Sequence, residues 1–398
     1  MKTLKSMRLH IGIFGKTNVG KSSFINKITN QDISIVSEIS GTTTDVVEKS
    51  MELLPVGPVN FLDTAGINDD SKLGAARLEK TLKVINRTDI AVLVCDYSGI
   101  DSYEKELIKK FDEYKIPFII VVNKTDIQQP SDKVIEDIKT VTDNILITST
   151  VSDNQIIYKF KELVVKILPE DFVNTPKIVG DLVPERSTVI LVIPIDKEAP
   201  KGRIILPQVQ TLRDLLDCGN KVLSVRDTEL KDALEELKNP PALVITDSQA
   251  FKKVSEIVPA NIPLTSFSIL FARLKGDLRA FIEGAKAIDN LQDNDKILIL
   301  ESCTHHAIED DIGKVKIPNL LRKKTGKNLV IEHFSGHDFP NISEYKLIIH
   351  CGACMTNRRE ILSRIIQANK ANIPITNYGI TISYCLGILN RATEIFNF

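Results

Sequence analysis

Two short stretches hold three of the six cysteines and three of the six histidines of this 398-residue sequence. CTHH carries Cys303, His305 and His306, and HCGAC carries His350, Cys351 and Cys354, with 44 residues between His305 and His350. Thiolate and imidazole are metal donors. Three thiols and a histidine make a legitimate structural zinc site, and three thiols also suit an iron–sulfur cluster with one iron left for another ligand. Zinc sites usually draw on two close-spaced pairs, whereas here one thiol follows one apolar run and two follow another; spacing alone leaves both metals open. His305 and His350 are further candidate donors, or groups that orient the donors.

A second chemistry lies near the start of the chain. Gly15 to Ser22, GKTNVGKS, match the pattern G-x-x-x-x-G-K-S/T. Backbone N–H groups along Gly15, Asn18, Val19, Gly20, Lys21, Ser22 and Ser23 suit phosphate oxygens. Lys21 adds a charge near the β- and γ-phosphates, and Ser22 offers its hydroxyl to Mg²⁺. Downstream, NFLDTAG places Asp63 to hold Mg²⁺ through water and Gly66 to offer an N–H to the γ-phosphate. Between them SGTTTDVV supplies Thr42, Thr43 or Thr44 to sense the γ-phosphate through Mg²⁺, as a switch loop does. PFIIVVNKTD then ends an apolar run in Asn123, Lys124 and Asp126. A carboxylate at Asp126 accepts from guanine N1–H and its 2-amino group. Adenine lacks both donors, so GTP is selected over ATP. Ser149 and Thr150, in TSTVSD, stand where a loop supporting the guanine is expected. The catalytic candidates are Lys21, Thr43, Asp63 and Gly66. Asp69 and Asp70 are acids in the right loop, and water activation is unassigned.

These residues need rigid carriers. LHIGIF before the glycine loop reads as a strand, and Phe24, Ile25 and Ile28 after it recur at helical spacing, the context the motif requires. FVNTPKIVGDLVPE, 172–185, reads as a linker from its proline and glycine breakers. Then strand and helix alternate: STVILVIPI, KVLSVR, ALVITD and PLTSFSIL as strands, with helices between, one of them TELKDALEELK with Thr228 as cap. The alternation resumes with RAFIEGAKAIDNL as a helix and KILILES and YKLIIH as strands, each immediately before one of the metal-donor stretches. In parallel α/β sheets ligands gather beyond the carboxyl ends of strands. The expected fold is α/β, a P-loop domain (1–170), a linker (171–185) and two smaller parallel-sheet domains (186–275 and 276–398). The middle domain carries no motif for chemistry, and dimerisation through a sheet edge is its expected role.

Residues 8 to about 168 resemble the TrmE–Era group of GTPases. That resemblance implies that Asn18 helps hold K⁺, which supplies the charge an arginine finger supplies elsewhere; Ile67 stands where Ras-like proteins carry a water-orienting glutamine. The whole pattern, C-x-H, 44 residues, H-C-x-x-C, behind such a GTPase and a motif-free middle domain, resembles the maturation GTPases of [FeFe]-hydrogenase. The resemblance implies a [4Fe–4S] cluster on Cys303, Cys351 and Cys354, with the fourth ligand open. It also implies a scaffold that receives a diiron precursor made with two radical S-adenosylmethionine maturases and delivers it to apo-hydrogenase. Arg358, Arg359 and the basic run 322–324 are candidates for attracting an anionic cargo. The rival reading is a regulatory GTPase whose C-terminal domain is a zinc-stabilised protein-binding module.

Bulk properties narrow the classes. Net charge is −1 and there is no tryptophan, which argues against nucleic acid as partner. No tract is apolar enough to span a bilayer. The N-terminus runs straight into a strand, pointing to the cytoplasm, where clustered thiols are metal or redox centres more often than disulfides.

Overall fold

Apolar runs bounded by turn residues become the central strands. The computed structural model describes residues 8–29, 47–64, 81–173, 176–195, 204–301, 311–336, 339–353 and 356–397. The chain divides into two compact units, Met1–Thr175 and Pro176–Phe398.

The first unit is built on a six-stranded sheet: β1 (Leu9–Phe14), β2 (Val47–Leu53), β3 (Gly57–Asp63), β4 (Ile90–Cys95), β5 (Phe118–Val122) and β6 (Ile145–Ile147). The spatial order is β2-β3-β1-β4-β5-β6, with β2 antiparallel to β3 and the other pairs parallel. Strands β1, β4 and β5 are buried along their whole length because helices cover both faces. On one face α1 (Lys21–Thr29) and α4 (Ile156–Lys166) pack Phe24 edge-on to Phe160, ring centroids 5.3 Å apart. On the other, α2 (Ser102–Glu113) brings Phe111 against Phe14 and Phe118, while α3 (Asp132–Lys139) follows β5 in the chain.

The second unit holds two four-stranded, all-parallel sheets. One comprises β7 (Thr188–Val192), β8 (Lys221–Val225), β9 (Leu243–Thr246) and β10 (Leu264–Ser266), ordered β10-β9-β7-β8. The other comprises β11 (Lys296–Glu301), β12 (Val330–Ser335), β13 (Leu347–His350) and β14 (Ile375–Asn377), ordered β12-β11-β13-β14. The connecting helices are α5 (Leu206–Asp217), α6 (Leu230–Glu236), α7 (Phe251–Ile257), α8 (Phe267–Lys275), α9 (Leu278–Lys286), α10 (Ile317–Thr325), α11 (Arg358–Lys370), α12 (Tyr378–Cys385) and α13 (Leu389–Thr393). A single hydrophobic core joins Ile190 and Val244 of the first sheet to Ile297 and Ile349 of the second.

Three local readings are corrected. PLTSFSIL is a strand for only three residues, because Ser266 turns the chain and accepts from the Ile269 N–H as the N-cap of α8. The helix at TELKDALEELK begins at Leu230 with Glu229, not Thr228, at the cap position. The stretch expected to be a linker is docked where it is described: Ile178, Val179 and Val183 are buried, and the Asp214 carboxylate accepts from the N–H groups of Val179 and Gly180 at 2.9 and 2.8 Å. Its proline and glycine residues break periodicity without loosening the chain.

Candidate functional sites

The phosphate loop leaves β1 and enters α1. Buried Lys21 curls back so that Nζ donates to the carbonyls of Gly15 (2.9 Å) and Lys16 (2.6 Å), which draws the loop into a ring. Asn18 has φ 63° and Gly20 φ 96°. A side chain at Gly20 would strike the Asn123 amide, so glycine is required there for space as well as for φ. Asn123 is the hub of the nucleotide end. Its Nδ2 donates to the Val19 carbonyl (3.0 Å), and its Oδ1 accepts from the Thr150 N–H (3.1 Å). The 15–22 loop, the end of β5 and the 149–150 loop are thus tied through one amide. Ser149, buried, donates to Asp126 Oδ1 at 2.5 Å while its oxygen accepts from the N–H groups of Val151 and Ser152. Asp126 itself is exposed. Asp63 ends β3 beside β1, and the Thr64 hydroxyl donates to the Ile13 carbonyl at 2.7 Å. Ser22 and Ser23 open α1 with exposed side chains. Thr42, Thr43, Thr44, Gly66, Ile67, Asp69 and Asp70 lie outside the described residues.

In the second unit the strand order brings the two donor stretches to one place. Strands β11 and β13 are hydrogen-bonded parallel neighbours with Leu300 opposite His350, and the Cys351 N–H donates to the Leu300 carbonyl at 2.8 Å. Cys351 therefore leaves the carboxyl end of β13 next to the end of β11, two residues before Cys303. Cys303, His305, His306, His337 and Cys354 lie outside the described residues. Among the described residues no group of three or more His, Cys, Asp or Glu forms a metal cage. Cys351 is half-buried. The Cys351 thiol, at the carboxyl end of β13, stands where a parallel sheet gathers ligands, and a thiolate there is a donor that a metal centre could use. The flanking loop is pinned from below by buried Lys275, whose ammonium donates to the carbonyls of Ala353 (2.9 Å) and Thr356 (2.8 Å).

His350 is fully buried, and both ring nitrogens are engaged. Nδ1 lies 2.8 Å from the Cys351 carbonyl, which only accepts, so Nδ1 carries the proton. Nε2 lies 2.5 Å from an Arg364 N–H, which only donates, so Nε2 supplies its lone pair. Burial first, and the adjacent guanidinium second, push the ring pKa down to about 3, and the ring is neutral at physiological pH. Arg364 also donates to Glu360 (2.7 Å), one turn earlier on α11, and to the Gly336 carbonyl (2.9 Å) just past β12. Neither member of this buried pair is singled out by the sequence. Glu and Arg at i,i+4 read as an ordinary surface pair, and only the tertiary placement of α11 shows them 2% exposed.

Other sequence candidates separate. His333 lies within β12, and its side chain is exposed. Arg358 lines an open cavity of about 400 Å³ with Arg273 and Arg279, whereas residues 322–324 form the exposed last turn of α10. Cys95 is buried in β4, and burial raises its thiol pKa to about 12. No helix among the described residues is long and apolar enough to cross a membrane.

Comparison with known proteins places these parts. Residues 178–276 match the hydrogen maturase F dimerization domain, and residues 279–395 match the hydrogen maturase F tetramerization domain. The chain belongs to the hydrogen maturase F family. In this hydrogen maturase F chain, residues 10–124 match a family described as 50S ribosome-binding GTPase, so the first unit is a GTPase domain. Curated relatives agree there: GTPase Der of Nitratiruptor sp. is 37% identical over 33% of this chain and 29% of its own length. The tRNA modification GTPase MnmE of Aliarcobacter butzleri is 38% identical over 39% of this chain and 34% of its own. The chain thus spans about a third of the length of these relatives. Among solved structures, Aquifex aeolicus Era bound to GDP·AlF4⁻ is 19% identical with a TM-score of 0.33, covering 55% of this chain and 93% of that one. The family's two association domains make oligomerisation part of this protein's design. The sequence offered no sign that the last third, which bears the thiols, serves assembly as well.

Proposed function

We propose that this chain is a GTP-switched scaffold that carries a [4Fe–4S] cluster on Cys303, Cys351 and Cys354 and uses it in maturation of [FeFe]-hydrogenase. The observation that carries the reading is the register of β11 and β13. Leu300 faces His350 across two adjacent strands about 4.8 Å apart, so chain segments leading to thiols 303 and 351 leave the sheet side by side. Held by Cys303, Cys351 and Cys354, a [4Fe–4S] cluster would leave one iron without a thiolate, a position that could accept a diiron precursor on its way to the apo-hydrogenase. The chain's own residues steady that place: Lys275 donates to the carbonyls of Ala353 and Thr356.

In the GTPase domain, Lys21 and the loop N–H groups bind the phosphates. Ser22, Thr43 and Asp63 would hold Mg²⁺, and Asn18 would contribute to a K⁺ site. Asp126, braced by Ser149, reads the guanine. Hydrolysis switches contacts with the radical S-adenosylmethionine maturases rather than driving bond chemistry. The middle sheet pairs with a second copy through β8. The opposite edge, β10, is covered by α13, whose Ala392 carbonyl accepts from Thr265, while Val209 and Leu216 of the neighbouring α5 are exposed. Cytoplasmic location suits the thiol chemistry.

Activation of apo-hydrogenase in the presence of the two maturases tests the reading. Wild-type chain restores hydrogen evolution. Cys351→Ala restores none and Lys21→Ala, unable to hydrolyse GTP, slows repeated rounds. Full activation by Cys351→Ala would refute the scaffold, and unchanged turnover with Lys21→Ala would refute the switch.

A further inference from the structure

One guanidinium organises the carboxyl ends of three adjacent strands. Arg364, 2% exposed, donates to Nε2 of His350 at the end of β13 and to the carbonyl of Gly336 just past β12. The Gly336 N–H in turn donates to the carbonyl of Glu301, the last residue of β11 (2.8 Å). Glu360, equally buried, holds the guanidinium from α11, and Asn357 caps that helix by accepting from the Glu360 N–H. The His350 ring passes the constraint on, because its Nδ1–H is bonded to the carbonyl of Cys351, the neighbouring thiol-bearing residue.

We propose that His350 is a positioning residue rather than a metal donor. Arg364 commits the Nε2 lone pair and fixes the Nδ1–H tautomer, and the ring then sets the Cys351 peptide, and with it the loop that presents the thiol. A metal at Nε2 would have to displace a buried guanidinium already paired to Glu360, leaving a charged group short of an acceptor in the interior. The role toward a cluster rests on the scaffold reading above; the tautomer lock does not.

The experiment uses the full chain labelled with ¹⁵N-histidine, first without metal. The resonance lost in His350→Gln identifies the ring. It should show the Nδ1–H tautomer near neutral pH and keep it in Arg364→Lys, whose ammonium still donates. It should lose the preference in Glu360→Gln/Arg364→Met, where both charges leave together so that neither is stranded. A wild-type Nε2–H tautomer, or an unchanged tautomer in the double variant, overturns the lock. After anaerobic iron–sulfide loading, His350→Gln, which keeps one donor and one acceptor, should match wild type in iron content and electron paramagnetic resonance g-values. His350→Ala should lose iron. Equal loss in both, or a nitrogen hyperfine coupling present in wild type and absent in His350→Gln, makes the ring a ligand and overturns the assignment. A wild-type chain that takes up no iron would instead sink the scaffold reading, with the tautomer result still deciding the lock.

Discussion

At the residue scale, nucleotide choice under the proposed function turns on an exposed carboxylate, Asp126, and the buried hydroxyl of Ser149 behind it. Hydrogen bonds to charged groups contribute about 1.5–3 kcal/mol, and neutral ones about 1. Asp126→Ala should weaken GDP binding by about ten- to a hundred-fold and narrow the gap between guanine and adenine nucleotides. Ser149→Ala removes the 2.5 Å brace on Asp126 and the acceptor for two backbone N–H groups. It should cost roughly five-fold, with the base preference kept. Titration calorimetry with GDP and ADP measures both. The motif residues could be named as candidates from sequence because phosphate and guanine recognition require particular groups at particular spacings. The loop serine was less plain: TSTVSD lacks the usual serine-alanine pair, and only the fold shows Ser149 reaching Asp126.

At the element scale, close packing sets what the helices tolerate. Helix α9 crosses β14 so closely that a side chain at Gly284 would collide with the Ile375 carbonyl. Gly284→Val should destabilise the second unit by about 1–3 kcal/mol, read as a lower urea midpoint at unchanged slope; no change would mean that α9 can shift without cost. The alternation of apolar runs and amphipathic stretches made the α/β class and most strands readable in advance. Boundaries were misread where a polar side chain decided them, as with Ser266 ending a strand and starting a helix. The 178–183 stretch was misread because breakers signal irregular backbone, which here is buried and held by Asp214. Arg364 was invisible for a related reason: periodicity reports which face of a helix is apolar, not that one charged pair on it meets a strand end.

At the scale of the whole molecule, a GTPase domain and a sheet end bearing Cys351 share one chain with two association domains. Assembly through β8 predicts that charges on the adjacent apolar surface oppose pairing. Val209→Asp/Leu216→Asp, both exposed in the single chain, should lower the mass seen by light scattering while leaving the circular dichroism unchanged. An unaltered mass would move the contact elsewhere. The order of domains was legible from motif spacing, but no residue type in the last third announced an assembly surface, since such surfaces are made of ordinary core-like and polar residues.

The measurement that tests the central claim most directly is iron, acid-labile sulfide and zinc content per chain after anaerobic purification, for wild type, Cys303→Ala and Cys351→Ala. About four irons and four sulfides per wild-type chain, as a [4Fe–4S] cluster requires, with both lost in each variant, is the predicted result. About one zinc per chain with neither iron nor sulfide would contradict it.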